Sequence, residues 1–141
     1  MILMDTDHLT LLKYPASPGY QTLSARMRSS PDQQIGTTII SVEETWRGWF
    51  AVIARFRDVR RQVKPYQELV ELHAFLNNWT IVPFADSAAD RFEQLRASGV
   101  RIGSMDLKIA SIALAHDATV LSANLQDFQR VPGLRVENWL T

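Results

Sequence analysis

Four acidic residues fall at places where a sheet protein gathers chemistry. Asp5 follows the apolar run Ile2-Leu3-Met4, and Glu44, with Glu43 beside it, opens the helical stretch after Thr37-Thr38-Ile39-Ile40-Ser41. Asp106 stands just past Ser104 at the start of another helical stretch, and Asp127 comes soon after Thr119-Val120-Leu121-Ser122. Carboxylates collected in one cleft repel each other and push their own pKa values upward. The usual remedy is a hard divalent cation held by oxygen ligands, Mg²⁺ or Mn²⁺, with water and substrate phosphate completing its shell. Such an ion polarises a phosphoryl oxygen and activates water. The chemistry predicted is phosphodiester hydrolysis with no protein nucleophile. The competing reading is local: Asp5 or Asp7 caps the helix that follows, and Asp106 is a first-turn acid suited to the helix dipole.

The elements must bring these acids to one place. Ile2–Met4 predicts a strand buried on both faces, as in a parallel sheet. A short helix over Leu9–Leu12 ends at Tyr14-Pro15-Ala16-Ser17-Pro18-Gly19, and residues 20–29 carry Tyr20, Leu23 and Met27 at helical spacing. Residues 36–41 predict a second strand. A long helix follows with Val42, Trp46, Trp49, Phe50, Ile53 and Phe56 as its apolar stripe and Glu43 and Glu44 in its first turn. Pro65 is predicted to start the next helix, which Asn77-Asn78 ends. Residues 80–84 predict a third strand, and a helix runs from Asp86 to Gly99. Ser104 is the predicted N-cap of a helix reaching about His116, apolar nearly all round and so buried. Residues 118–122 predict a fourth strand, 124–128 a turn or short helix, and 134–136 a last short strand, with Trp139 over the core. Strands alternating with helices imply an α/β fold, a parallel sheet covered on both faces. There every strand end and following helix start lies at one edge, where Asp5, Glu44, Asp106 and Asp127 converge.

Bulk properties narrow the function classes. The 141 residues suit a single domain spanning 1–141. There is no cysteine, which removes thiolate metal sites and cysteine nucleophiles and fits a reducing cytoplasm. No apolar run is long enough for a membrane span, and Asp5 interrupts the first apolar stretch too early for a signal peptide. Fifteen Lys and Arg balance fifteen Asp and Glu. Any role on nucleic acid must therefore rest on a local patch, and Arg55, Arg57, Arg60, Arg61 and Lys64 form the one dense cationic stretch. A solvated face is the plainer account of that stretch, with RNA phosphate or an acidic partner segment as the others. His8, His73 and His116 share no metal-ligand spacing; His8 is close enough to Asp5 in sequence to be a candidate substrate contact. Trp46 and Trp49 are read as core or dimer contacts.

The chain resembles the PIN-domain ribonucleases, and within them the VapC-type toxins of bacterial toxin–antitoxin pairs. The matching stretches are Leu3-Met4-Asp5-Thr6-Asp7-His8-Leu9, Ile40-Ser41-Val42-Glu43-Glu44-Thr45-Trp46-Arg47-Gly48, Ile102-Gly103-Ser104-Met105-Asp106-Leu107-Lys108-Ile109-Ala110 and Leu121-Ser122-Ala123-Asn124-Leu125-Gln126-Asp127-Phe128, with a similar ending over Arg130–Trp139. The resemblance covers essentially the whole chain. It implies a three-layer α/β/α fold with a short central parallel sheet. It implies that Asp5, Glu44 and Asp106 hold Mg²⁺ or Mn²⁺, Glu44 rather than Glu43 because the family places Glu four residues before Gly, here Gly48. Asp127 is then an outer ligand or water-positioning group, with Asp7, Ser104 and Asn124 in support, and Asn124 also qualifies for the fourth position. The implied activity is endonucleolytic cleavage of single-stranded or loop RNA, in a homodimer silenced by a small cognate antitoxin. Two alternatives stand beside it. Asp5-Thr6-Asp7 also resembles the opening of the haloacid-dehalogenase-like phosphatases, where Asp5 would be a covalent nucleophile. A catalytically inactive PIN-like domain that only binds a partner is the other.

Overall fold

A computed structural model describes residues 1–141. Five short strands, β1 (Ile2–Met4), β2 (Ile35–Thr38), β3 (Thr80–Val82), β4 (Thr119–Leu121) and β5 (Arg135–Glu137), form one sheet in the order β3-β2-β1-β4-β5. Every pairing is parallel. Seven helices complete the chain: α1 (Thr6–Leu12), α2 (Tyr20–Ser29), α3 (Ile39–Arg55), α4 (Val59–Leu76), α5 (Asp86–Ala97), α6 (Ser104–Ala115) and α7 (Leu125–Phe128).

The three residues of β1 show why the sheet is central. Leu3 points into a core built from α5, α6 and α7, with Leu107, Ile109, Ile112 and Phe128. Ile2 and Met4 point the other way, into a core with Leu9, Leu23, Val42, Leu72, Leu76 and Trp139. The period of two sends alternate side chains to opposite faces, and both faces are covered by helices. This is the three-layer α/β/α arrangement expected. The chain winds outward from β1 through β2 to β3 and then returns to place β4 on the other side. The order reverses between β1 and β4, and at such a reversal the loops beyond the carboxyl ends separate into a crevice.

Several boundaries differ from expectation. α1 begins at Thr6, not Leu9, because Asp5 is its N-cap and accepts from the Thr6 N–H at 2.7 Å. β2 ends at Thr38, and Ile39, Ile40 and Ser41 are helical: the Thr38 hydroxyl accepts from the Ser41 N–H at 3.2 Å and caps α3. A cap of this kind outweighs the strand preference of two isoleucines. Glu43 and Glu44 consequently fall in the second turn of α3. Pro65 does not start α4 but lies inside it, because Asp58 caps the helix earlier by accepting from the Arg60 N–H. Pro65 is buried there, so its ring packs where its missing N–H is forfeited. Ser104 is not the cap of α6; Gly103 holds that position without a side-chain bond, and Ser104 is the first helical residue and exposed.

α3 and α4 form a long antiparallel hairpin. The Gln62 side chain donates to the Ile53 and Phe56 carbonyls, closing the tip. Val42, in the first turns of α3, shares a core with Leu72 and Leu76 at the end of α4. Only Asn77, Asn78 and Trp79 then separate α4 from the amino end of β3. α4 therefore descends from the carboxyl side of the sheet, and the hairpin tip at residues 55–59 projects on that same side.

Close packing between β2 and β3 depends on Gly36. A Cβ there would stand 2.5 Å from the Thr80 carbonyl oxygen. Gly36→Ala is expected to force the two strands apart and lower stability by about 1–3 kcal/mol. Urea denaturation of wild type and variant checks this, and an unchanged midpoint would rule out the tight contact.

Candidate active site

Asp5 leaves β1 at its carboxyl end, with its backbone N–H bonded to the Leu121 carbonyl of β4 at 2.8 Å. The pairing of Met4 with Leu121 places Asp5 beside Ser122. The Ser122 hydroxyl donates to Asp5 Oδ2 at 2.7 Å, while Asp5 Oδ1 takes the Thr6 N–H. Asp5 is 7% exposed. Burial pushes its carboxyl above the ordinary value, and neighbouring Asp7 adds to that, against the opposing pull of Ser122 and Thr6. The capping role and the site role are thus held by the same carboxylate.

Glu44 reaches the same edge from the second turn of α3. Its pKa is raised to about 7, first by burial and then by the charges of Asp5 and Asp106. Thr6 exerts a smaller lowering influence, but neither Thr6 Oγ1 nor Glu44 Oε1 has a partner with hydrogen-bond geometry. Asp106 arrives from the first turn of α6, and burial, Asp5 and Asp127 together raise its pKa. Asn124 steadies it: one amide group donates to Asp106 Oδ2 at 3.0 Å and to Asp127 Oδ2 at 3.1 Å. The backbone N–H of Asn124 in turn donates to the Ser122 hydroxyl at 3.0 Å. Ser122 therefore ties the Asp5 carboxylate to the loop that holds Asp106 and Asp127.

The sequence-derived residues divide into three groups. Asp5, Glu44 and Asp106 share one electrostatic neighbourhood, and Asp127 joins through Asn124. Asp7 faces elsewhere. Burial alone would raise its pKa, but the bonds from the His8 ring and from the Ala123 N–H bring it below the ordinary value. Its work is to pin the loop after β4. Ser104 makes no side-chain hydrogen bond to Asp106; the orienting donor is Asn124. His8 is not a substrate contact. It is fully buried, its Nε2 accepts from the Trp139 N–H at 3.0 Å, and its Nδ1 faces Asp7.

Ser122 and Thr6 are the residues that sequence reasoning missed. The signal for Ser122 existed only in strand adjacency. It follows β4 by one residue as Asp5 follows β1, which matters once β1 and β4 are neighbours.

The donor set suits a hard cation. Three buried oxygens without partners, Thr6 Oγ1, Ser41 Oγ and Glu44 Oε1, lie on residues that follow β1 and β2 at this edge. Buried polar atoms are normally satisfied, and each exception asks for an occupant. All three central acids are raised, so their charged forms lack compensation. No three Asp, Glu or His side chains are close enough to enclose an ion by themselves. An ion at this edge would therefore take one or two carboxylates directly and complete its shell with water, as Mg²⁺ does.

Residues 16–134 match the sequence profile of the PIN domain. Ribonuclease VapC2 of Rickettsia felis is 35% identical over 85 residues, which are 57% of this chain and 63% of that protein. The tRNA(fMet)-specific endonuclease VapC of Salmonella typhimurium is 29% identical over 83 residues, 56% of this chain and 63% of its own length. The chain thus spans less than two thirds of the length of these relatives in sequence. In structure the match is longer. VapBC2 from Rickettsia felis, solved bound to a DNA fragment from its promoter, superposes with a TM-score of 0.71 at 26% identity over 99% of both chains. DNA-bound VapBC from Salmonella typhimurium, at 20% identity over 98% of this chain and 97% of its own, shares the fold with a TM-score of 0.72.

The raised carboxyls have a consequence for stability. An acid whose folded pKa lies above its unfolded value holds its proton more tightly when folded, so the stabilisation is present at low pH and lost as pH rises. For Glu44 the window runs from its ordinary 4.5 to about 7, and Asp5 and Asp106 act in the same direction. In EDTA, melting temperature is expected to fall between pH 5 and pH 8, with Glu44→Gln flattening the fall and melting a few degrees higher at pH 8. An equally steep fall in the variant would show that Glu44 ionises without strain.

Proposed function

The chain belongs to the PIN-domain family, and on that premise we propose that it is a metal-dependent endoribonuclease, the toxin of a toxin–antitoxin pair. One observation carries the reading: Asp5, Glu44 and Asp106, from three different elements, meet at the carboxyl edge with their charges uncompensated. The names of its relatives in Rickettsia felis and Salmonella typhimurium support ribonuclease chemistry.

The division of labour follows from the contacts. Asp5, Glu44 and Asp106 would hold Mg²⁺ or Mn²⁺ between them, one or two as direct ligands and the rest through water. When bound, the ion supplies Lewis-acid polarisation of the phosphodiester and lowers the pKa of water. Ser122 and the Thr6 N–H keep Asp5 in one orientation. Asn124 spaces Asp106 and Asp127 apart by donating to both, which leaves Asp127 as the outer carboxylate that positions water or accepts its proton. Asp5 as a covalent phosphatase nucleophile is disfavoured: the main influences on its carboxyl are burial, Ser122, the Thr6 N–H, Asp7 and His8, with no Lys or Arg among them to receive a phosphoryl group. Single-stranded or loop RNA suits an edge site, because its backbone bends to enter a crevice.

The proposed protein partners are a small antitoxin and a second copy of the chain. The relative from Rickettsia felis was solved as VapBC2, which supports the first. A surface for a protein exists on the hairpin. Val59, Val63, Tyr66 and Val70 recur along α4 at helical spacing and are 48–71% exposed, with Phe50 and Trp46 on α3. Exposed apolar stripes of this kind mark interaction surfaces. No helix is long and apolar enough to cross a membrane.

Calorimetric titration of Mg²⁺ and Mn²⁺, with RNA cleavage assayed on the same samples, tests the reading. Wild type is expected to bind metal and cut RNA, and Asp106→Asn to fold but lose both. A wild type that binds no ion and cuts nothing would make the acids structural and the domain an inactive partner-binding one. Ser122→Ala removes the support of Asp5 and not a ligand. It is expected to weaken metal binding or activity by about 10–100-fold, as loss of an outer-shell partner does. Unaltered affinity and rate in Ser122→Ala would deny it that role.

A further inference from the structure

The tip of the α3–α4 hairpin carries a charge pattern that the site does not explain. Residues 55–64 hold five cations, Arg55, Arg57, Arg60, Arg61 and Lys64, and one acid, Asp58. The rest of the chain has ten cations against fourteen acids. A chain neutral in total is therefore an anionic body, with its carboxylates gathered at one edge, and a cationic tip.

Fold stability does not account for these cations. None of the five takes part in an ion pair; the pairs in the molecule are elsewhere. All five are exposed. Arg55 ends α3, where a cation suits the helix dipole. Arg60 and Arg61 sit in the first turn of α4, where the dipole disfavours cations and the N-cap Asp58 is the one acid beside them.

The cations also keep apart from the apolar surface. At about 100° per residue, Arg60, Arg61 and Lys64 lie on a flank of α4 roughly 100–200° round from Val59, whereas Val63, Tyr66 and Val70 stay within about 40° of it. The same flank continues to Glu68, which pairs at 3.1 Å with Lys13, the residue just past the C-terminal end of α1. The cationic flank thus lies on the side of α4 that meets the C-terminal end of α1, while the apolar stripe faces away from it. The tip projects on the carboxyl side of the sheet, and α3 carries Arg55 about 16 Å beyond Glu44.

From this placement we propose that Arg57, Arg60, Arg61 and Lys64, with Arg55, form a docking surface for the RNA phosphate backbone, leading the strand to the carboxylate edge. The inference rests on the ribonuclease reading above. An edge crowded with carboxylates repels a polyanion, and an anionic body gives no long-range attraction. The hairpin tip supplies that attraction at a distance where it does not neutralise the acids. Because the apolar stripe is on another flank, a protein seated on the stripe leaves the cations available to RNA.

The test is fluorescence anisotropy with a labelled single-stranded RNA, in EDTA to prevent cleavage, over a range of salt concentrations. The quadruple variant Arg57→Gln, Arg60→Gln, Arg61→Gln, Lys64→Gln is compared with Arg28→Gln, Arg91→Gln as a charge control. Each phosphate contact on a single strand contributes about 0.7 to the slope of log affinity against log salt. The quadruple variant is expected to bind at least tenfold more weakly near 0.1 M salt, with a slope shallower by up to about 3. Its melting temperature should be unchanged or slightly higher, since two cations leave a helix N-terminus. Arg60→Lys, Arg61→Lys should retain binding, because charge is what the backbone reads. If wild type cuts RNA but the quadruple variant matches its affinity and slope, this surface does not bind RNA and the proposal falls while the ribonuclease reading stands. If wild type neither binds nor cuts RNA with Mg²⁺ or Mn²⁺, the ribonuclease reading falls, and this surface with it.

Discussion

The position of Asp5 is set by a three-residue strand hydrogen-bonded on both sides and buried on both faces. β1 has no edge and no solvent face, so Ile2, Leu3 and Met4 cannot shift without unpacking two cores. A one-residue slip in register would exchange the faces of all three side chains. The carboxylate that follows inherits this rigidity. Its neighbours are set by the same pairing, since β4 delivers Ser122 beside Asp5 and, two residues on, Asn124 beside Asp106 and Asp127. Glu44 comes from the second turn of α3, which follows β2, and Asp106 from the first turn of α6.

A second group of polar contacts holds the edge from behind. The Trp139 N–H meets the His8 ring, the ring meets Asp7, and Asp7 accepts from the Ala123 N–H. Arg26 adds a contact over the Trp139 ring and donates to the Asn138 and Thr141 carbonyls. The C-terminal segment, α1 and the loop after β4 are thereby joined through a fully buried imidazole. Buried polar chains of this kind are costly if any member is missing and rigid when all are satisfied. Asp7 is thus kept out of the acidic cluster, and its charge is spent on structure.

The hairpin shows the opposite economy. Its lower part is packed against the body through Val42, Leu72 and Leu76, whereas its upper part exposes both apolar and cationic side chains. Exposed valines and first-turn arginines both oppose stability in an isolated chain, and they lie on different flanks of one helix. A stable base with an unpartnered tip is the arrangement expected of an arm built to be covered by other molecules.

Much of this was legible in the sequence. The apolar run before Asp5, the alternation of strands and helices, and the four acids near strand ends predicted the layered parallel fold and the convergence of acids. These are consequences of local composition and of a period of two or 3.6, which the chain carries by itself. Boundaries were less legible, because caps compete with propensity: Thr38 turned Ile39 and Ile40 into helix, and Asp58 started α4 ahead of Pro65. The roles of Ser122, Asn124, Asp7 and His8 were decided only by tertiary structure. Asp5 and Ser122 are 117 residues apart, and His8 and Trp139 are 131 apart. Residues so distant become partners through the adjacency of β1 and β4 and the return of the C-terminal segment. No local pattern encodes strand order, because it arises from how two faces of one sheet are buried at once.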